Sequence, residues 1–526
     1  MSRFRTLLGG VVVVLAMGCS SSQSDPTGTG TGSGSGSGTG SGTASGTASG
    51  TGSGTGGGTG GSAGGGAVTD CVQGEQITET CRCGEQEYGE GWCCATGFSE
   101  AECLPVTLYY VLEGATGSGD GSTWADAFTD LPATLERGAA YMVGDGSYAG
   151  YTFDDPESGD QRIQIRKAMD SLHGTDVGWQ PEHGDGQAVF GPLEFQSDYY
   201  LLDGAAPYGL KAVGGFQGLV ADLASDHVTL RHVELDGNYQ ESGGNHTGGA
   251  CNVTNVNGSY VTLDRCDLHN AADDGVGVYG DDITIVGSRI HNLHGCGTDG
   301  ACGPCYNGHS DGIELQATTN VTLVGNLIYD IESTGALIAG QWAPGNYTTN
   351  LVMINNVLYT PATGLTALLS YITGAKVYHN VIWGRTQGNR YGGLAIGPEL
   401  TDFEMHNNII LSINYSHLGG TFDPTEHDID YNLFAMVNTG EYTLNTNDVV
   451  GDPLFAAIVE SDDMADHIEE GLTAADFALT SGSPAIDSGM DLSGIVDDDL
   501  LGAARPADGD GDNDAAWDRG PIEYTP

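Results

Sequence analysis

From Val228 onward, apolar and polar residues alternate with period two in the short runs VTLRHVEL, VTLDRCDLHN, ITIVGSRIHN and VTLVGNLIYD, which align without gaps. Strict alternation over so few residues predicts half-buried strands; a helix would repeat its apolar positions every 3.6 residues. Four more runs follow from Leu351, Ala375, Phe403 and His427, so that successive starts lie 33, 22, 38, 30, 24, 28 and 24 residues apart. A strand motif returning at such intervals, with insertions in one place, predicts a solenoid of stacked coils. The sixth position of the motif reads Val233, Cys266, Ser288, Asn326, Asn356, Asn380, Asn408 and Asn432, and the eighth is apolar throughout. Buried asparagines at a tight corner are expected to hydrogen-bond from coil to coil and to tolerate left-handed backbone angles. A second strand follows the first in each coil. Aligned on Gly275, Gly312, Gly335, Gly364 and Gly393, these strands turn Val276, Ile313, Ala336, Leu365 and Leu394 inward.

These ladders resemble the right-handed parallel β-helix, or pectin-lyase-like, superfamily, from about Leu108 to about Asn438. The resemblance implies an all-β solenoid with an amphipathic, helical N-terminal cap at AFTDLPATLERG. It also implies a surface that handles polysaccharide, as a lyase, glycoside hydrolase or epimerase, often with calcium. The closing strings DPLF, FALTSGSPAIDSG and GAARPADGDGDNDAAWDRGPIEY resemble the final segment of bacterial surface β-helix proteins and are expected to cap the stack.

The chain before the solenoid differs in kind. Arg3 and Arg5 precede the apolar run LLGGVVVVLAM, too short to span a bilayer and typical of a signal peptide. Its end, Leu15-Ala16-Met17-Gly18-Cys19, resembles a lipobox, which implies acylation of Cys19 and, in Gram-negative bacteria, an outer-membrane or surface location; Ala16 departs from the usual branched residue. From Thr27 to Gly66 only Gly, Ser, Thr and Ala occur, a flexible tether with nothing to bury. Cys71, Cys81, Cys83, Cys93, Cys94 and Cys103 then crowd into 33 residues, predicting a small disulfide-rich module rather than a zinc site, since the usual C-x2-C pairs and histidines are missing. The expected domains are therefore 1–18 signal, 19–68 tether, 69–104 disulfide module, 105–450 β-helix and 451–526 acidic cap.

Charge then narrows the partners. Acidic residues number 70 against 16 basic ones, for a net charge of -54, which excludes a nucleic-acid footprint. Much of the imbalance belongs to the tail, which from Asp452 carries 19 acidic residues and two arginines. Such a field repels polyanions unless calcium bridges them.

Three constellations can carry chemistry. Asp274 and Asp311 precede aligned glycines in adjacent coils, with Asp273, His309 and Glu314 near in sequence, so paired carboxylates can act as acid and base or hold calcium. Asp-Gly turns alone also explain them. His291, Tyr329, Tyr359 and Trp383 continue an outward column of rings from His269, with Arg385 and Arg390 beyond; the column suits sugar stacking, or simple packing under a loop. Asp508, Asp510, Asp512 and Asp514 alternate like calcium-loop ligands, although Asn513 and Arg519 occupy the places an EF-hand gives to Gly and Glu. Five cysteines lie in the β-helix (251, 266, 296, 302 and 305), an odd number that leaves one thiol free; Cys266 in the inward ladder is the simplest choice, and Cys251, which also faces inward, is the alternative. The leading reading is a surface lipoprotein that binds polysaccharide and cleaves or epimerises it, assisted by calcium, with Asp274, His309 and Asp311 as the catalytic residues and Asp508, Asp510, Asp512 and Asp514 as metal ligands. A non-catalytic adhesion or carbohydrate-binding rod is the alternative.

Overall fold

The computed structural model describes residues 107–458 and 472–526, less 206–207, 243–244, 296–309, 333, 341–346, 361–364, 385–392, 412, 415–426 and 436–443, together with the backbone of four short strands from Gln76–Ile77 to Gly91–Trp92. Cys19, the tether, the side chains of the six clustered cysteines, His309, Arg385 and Arg390 lie outside the described residues.

The strands of the solenoid form three parallel sheets of 13, 12 and 10 strands, visited in that order by each coil. One coil runs from Thr319–Val324 in the first sheet, through Leu327–Tyr329 in the second, to Gly335–Ala339 in the third. Two of its strands share one rung, so at the usual strand spacing the first sheet extends about 53 Å. Alternation sets what lies inside: Leu235, Leu268, Ile290, Ile328, Leu358, Ile382, Ile410 and Phe434 stack in register along the second sheet and fill one continuous core with the inner faces of the other two.

The corner between the first and second sheets is held by the expected ladder. Asn326, Asn356, Asn380 and Asn408 each donate a side-chain N–H to the side-chain oxygen of the next, at 2.9, 2.9, 3.0 and 2.9 Å. Each of those oxygens also accepts the preceding ladder residue's backbone N–H. Ser288 takes the same part at the near end and Asp448 closes the far end. The left-handed residue is not the ladder asparagine but the one before it: Asn355, His379, Asn407 and Tyr431 all have φ between 54 and 61°. From Arg231 onward this corner contains only one or two residues in every coil, whereas the other two corners hold the insertions.

Two expectations change. Residues 127–138 form turns, not a helix, because the coil below satisfies their backbone groups: Tyr151 donates to the Pro132 carbonyl at 2.8 Å, Asp155 accepts from Leu135 N–H at 2.6 Å, and Tyr141 accepts from Glu136 N–H at 2.8 Å. Leu131 and Leu135 still cover the core. In the third sheet Gly335 pairs with Asp311, not Gly312, so Leu337 and Ala367 follow Val276 and Ile313 in register, and Leu365 joins an outer cluster with Ile338, Leu368 and Ala395. Among the cysteines, Cys266 is a free buried thiol and Cys251 is disulfide-bonded.

The tail folds back along the second sheet. Phe477, Leu479 and Ala485 cover Leu327, Val357, Val381, Ile409 and Leu433. Arg519 fastens this layer to the end of the ladder, donating to the carbonyls of Asn432 at 2.9 Å, Asn447 at 2.8 Å and Ser488 at 2.7 Å.

Candidate functional site

The tail divides the outer face of the second sheet. Under it lie Tyr359, against Phe477 at 5.5 Å, and Trp383, against Phe455 at 5.3 Å. Both rings are buried, so they pack the tail in place and offer no face to a sugar. The column does stack as its spacing predicts: His269 on His291 at 5.1 Å and His291 on Tyr329 at 4.8 Å.

Beyond the tail the second sheet is ionic, and here the outward positions Lys211, Glu234, Asp267 and Arg289 follow one another in register. Lys211 bonds Glu234 at 2.7 Å and Asp236 at 2.8 Å. His269 reaches Glu234 at 3.2 Å and His291 reaches Asp267 at 2.9 Å. Burial alone would raise Glu234, but hydrogen bonds from His269, Lys211 and Gln187 outweigh it and bring the carboxyl down to about 2. Burial pushes His291 down, against the pull of Asp267. Arg289 donates to Tyr329 at 2.6 Å. Glu234, Asp236 and His269 are close enough to share a metal ion, but the Lys211 ammonium already bridges both carboxylates. Each charge in this strip has an opposite neighbour, which makes it a cohesive ladder of ion pairs. Sequence reading found its rings and missed this ladder, although Glu234, Asp267 and Arg289 stand at the seventh position of the same motif.

The third sheet presents a different outer face. Its in-register outward residues are Thr152, Glu194, Asp222, Asn255, Gly277 and Glu314, followed by Ile338, Leu368 and Ala395. At the head of its strands sit Asp273, Asp274 and Asp311, and with Glu314 all four acids are under 7% exposed. The structure brings Asp274 and Asp311 together as expected: an Asp274 side-chain oxygen accepts the Asp311 backbone N–H at 2.9 Å. Tyr279 lies close by, and burial, then the charges of Glu314, Asp274 and Asp273, raise its phenol above the ordinary value. A Cβ on Gly277 would meet the Asn255 side chain at 2.9 Å and the Tyr279 ring at 3.0 Å, so the glycine leaves room for that ring.

In the tail, oxygens of Asp487, Asp508 and Asp510 converge within 4.8 Å. Asp512 and Asp514 stand apart from this group: Asp512 accepts the Asp514 N–H at 2.8 Å within the turn. Sequence spacing therefore found two of the three grouped carboxylates, while Asp487 comes from a segment more than 20 residues earlier.

Comparison with known proteins agrees with the architecture. Residues 218–410 match the family model for the right handed beta helix region. No curated protein matches. Among solved structures, the chain is similar to pectate lyase Pel9A, at 13% identity over 80% of this chain and 96% of that one with a TM-score of 0.45. It is also similar to a PL6 family polysaccharide lyase from Pseudopedobacter saltans, at 13% identity over 60% and 87% with a TM-score of 0.29. XylC in complex with xylose aligns at 11% identity over 80% and 98%, with a TM-score of 0.36. Three parallel sheets around one shared core agree with the family match over residues 218–410, and the chain folds as a parallel β-helix.

Proposed function

We propose that the outer face of the third sheet binds and processes polysaccharide, with the acidic centre at Asp273, Asp274, Asp311 and Glu314 and with His309, two positions before Asp311 in the sequence, as a further catalytic residue. The observation that carries this reading is the gathering of four buried carboxylates on two adjacent coils. Burying that much like charge is unfavourable unless protons or a cation balance it. Calcium, a hard ion that prefers carboxylate oxygens, suits the centre and would neutralise an acidic sugar there. Asp487, Asp508 and Asp510 are a second calcium set, with a purely structural role in the tail. Cys19 acylation would place the solenoid at the outer surface of a bacterium.

The alternative, a binding rod without catalysis, is favoured by the bond from Asp311 N–H to Asp274, since a carboxylate occupied in holding two coils together is a structural one. Activity on a panel of neutral and uronate polysaccharides, with and without chelator, separates the two. The catalytic reading expects Asp274→Asn and Asp311→Asn each to lower turnover at least 100-fold while binding persists. Full turnover in both variants, or binding with no turnover of any polymer, leaves the rod.

A further inference from the structure

Toward the N-terminal end of the same face lies a cavity of about 360 Å³, lined by Tyr151, Thr152, Leu193, Glu194, Phe216 and Asp222 together with Pro192, Leu219 and three glycines. It sits on the strands Tyr151–Phe153, Leu193–Phe195 and Leu219–Leu223, away from the acidic centre proposed above.

Its make-up is specific. Glu194 and Asp222 are paired residues on adjacent strands of one face, so their side chains stand roughly 5 Å apart at the base. Thr152 pairs with Glu194 on the other side and donates to it at 3.4 Å. An Asp222 oxygen is buried with no hydrogen-bond partner among the described residues. Burial, and then the charge of Glu194, raise the Asp222 carboxyl above its ordinary value. Among the described residues, no lysine, arginine or histidine lines the cavity to relieve this repulsion. Phe216 is 59% exposed at the rim, and Tyr151 is held by its bond to the Pro132 carbonyl.

We infer that this cavity is a binding site for an amine-bearing sugar unit, a 2-amino-2-deoxyhexose within a polymer. A protonated amine between Glu194 and Asp222 gains two charge-assisted hydrogen bonds, and the sugar's apolar face lies against Phe216 or Tyr151. Calcium is a poorer occupant, since it needs six to eight oxygens and the cavity's side chains offer two carboxylates and the hydroxyls of Thr152 and Tyr151, the latter already bonded to the Pro132 carbonyl. The inference extends the polysaccharide reading to a second site and does not use its catalytic residues.

Titration calorimetry of the full chain with a glucosamine tetramer, its N-acetylated counterpart and a galacturonate tetramer, each with and without chelator, tests it. The amine form is expected to bind at least tenfold more tightly than the N-acetylated form, independently of chelator, and to lose at least tenfold in Glu194→Gln and in Asp222→Asn variants whose melting is unchanged. Phe216→Ala, which leaves the charges intact, is expected to weaken it several-fold. Equal affinity for the amine and acetylated forms, or full affinity in both charge variants, overturns the amine site and leaves the polysaccharide reading standing. Binding of none of the three glycans overturns the amine site, while the polysaccharide reading is decided by the activity panel.

Discussion

Replacing Asn380 with alanine tests the ladder at its middle. The Asn380 side-chain oxygen accepts the backbone N–H of Asn356 at 2.8 Å and its amide at 2.9 Å, while the Asn380 amide donates to the carbonyls of Met353 at 3.0 Å and Tyr378 at 2.9 Å and to Asn408 at 3.0 Å. Some of these partners survive the change. The Asn356 amide keeps the Leu323 carbonyl, and the Asn408 oxygen keeps the Asn380 backbone N–H. The Asn356 backbone N–H loses its acceptor in a site with no water access. An orphaned buried polar group costs about 1–3 kcal/mol, and the void left by an amide adds to it, so a loss of about 3 kcal/mol is expected. Solenoid coils open locally, which makes hydrogen exchange the suitable assay: amides of residues 351–384 should exchange about 100-fold faster, and those of residues 163–203 at the wild-type rate. Thr401→Ala, an exposed site whose hydroxyl bonds that of Thr373 at 3.1 Å, is the control and should stay within about 0.5 kcal/mol. Unchanged exchange in Asn380→Ala would falsify the claim that the ladder holds the coils.

Other outcomes follow from the same physics. Burial pushes the Cys266 thiol up to about 12, so iodoacetamide should leave it unmodified in the native chain and alkylate it only in guanidinium, read by peptide mass spectrometry; rapid native labelling contradicts its burial. Burial, then Glu523, raises Asp518 to about 7. The folded chain then holds a proton that the unfolded chain releases near 4, so this group's contribution falls as pH rises from about 4 to 7. Melting curves at pH 5.5 and 7.5 should show a smaller difference in Asp518→Asn than in wild type, and an identical difference would rule the linkage out. Phe477→Ala should cost about 3–5 kcal/mol locally and raise binding of a hydrophobic dye as the tail lifts from Val357, Val381 and Leu433; silence in the dye assay means that the tail is held elsewhere.

The solenoid was legible because its determinants are local and repeated. One alternating motif supplied the second-sheet columns from Leu235 to Phe434 without an error of register. The third sheet was harder. Its strands follow loops of variable length, so glycine alone did not fix the alignment, and Gly335 fell one place away from where its spacing puts it. The N-terminal cap shows tertiary contacts overriding an amphipathic pattern, with Asp155, Tyr141 and Tyr151 taking backbone groups that a helix would pair internally. At the candidate sites, adjacency of Asp274 and Asp311 could be read from the repeat, whereas Glu194 with Asp222 could not, because those coils precede the part of the sequence where the motif is regular. Nor could the burial of Tyr359 and Trp383, which depends on a segment roughly 100 residues later in the chain.

The uneven corners make the rod unequally tolerant of change. Between the first and second sheets, a single inserted residue would move an asparagine out of line and cut a chain of hydrogen bonds shared by every later coil. The two corners that flank the third sheet already accept extra chain, including the hairpin of Gln240–Ser242 and Asn245–Gly248. Changes of loop length are therefore tolerated along both margins of the third sheet, and the surface there can be altered by loop replacement while the inner scaffold is left alone. The same margins are where an engineer should graft.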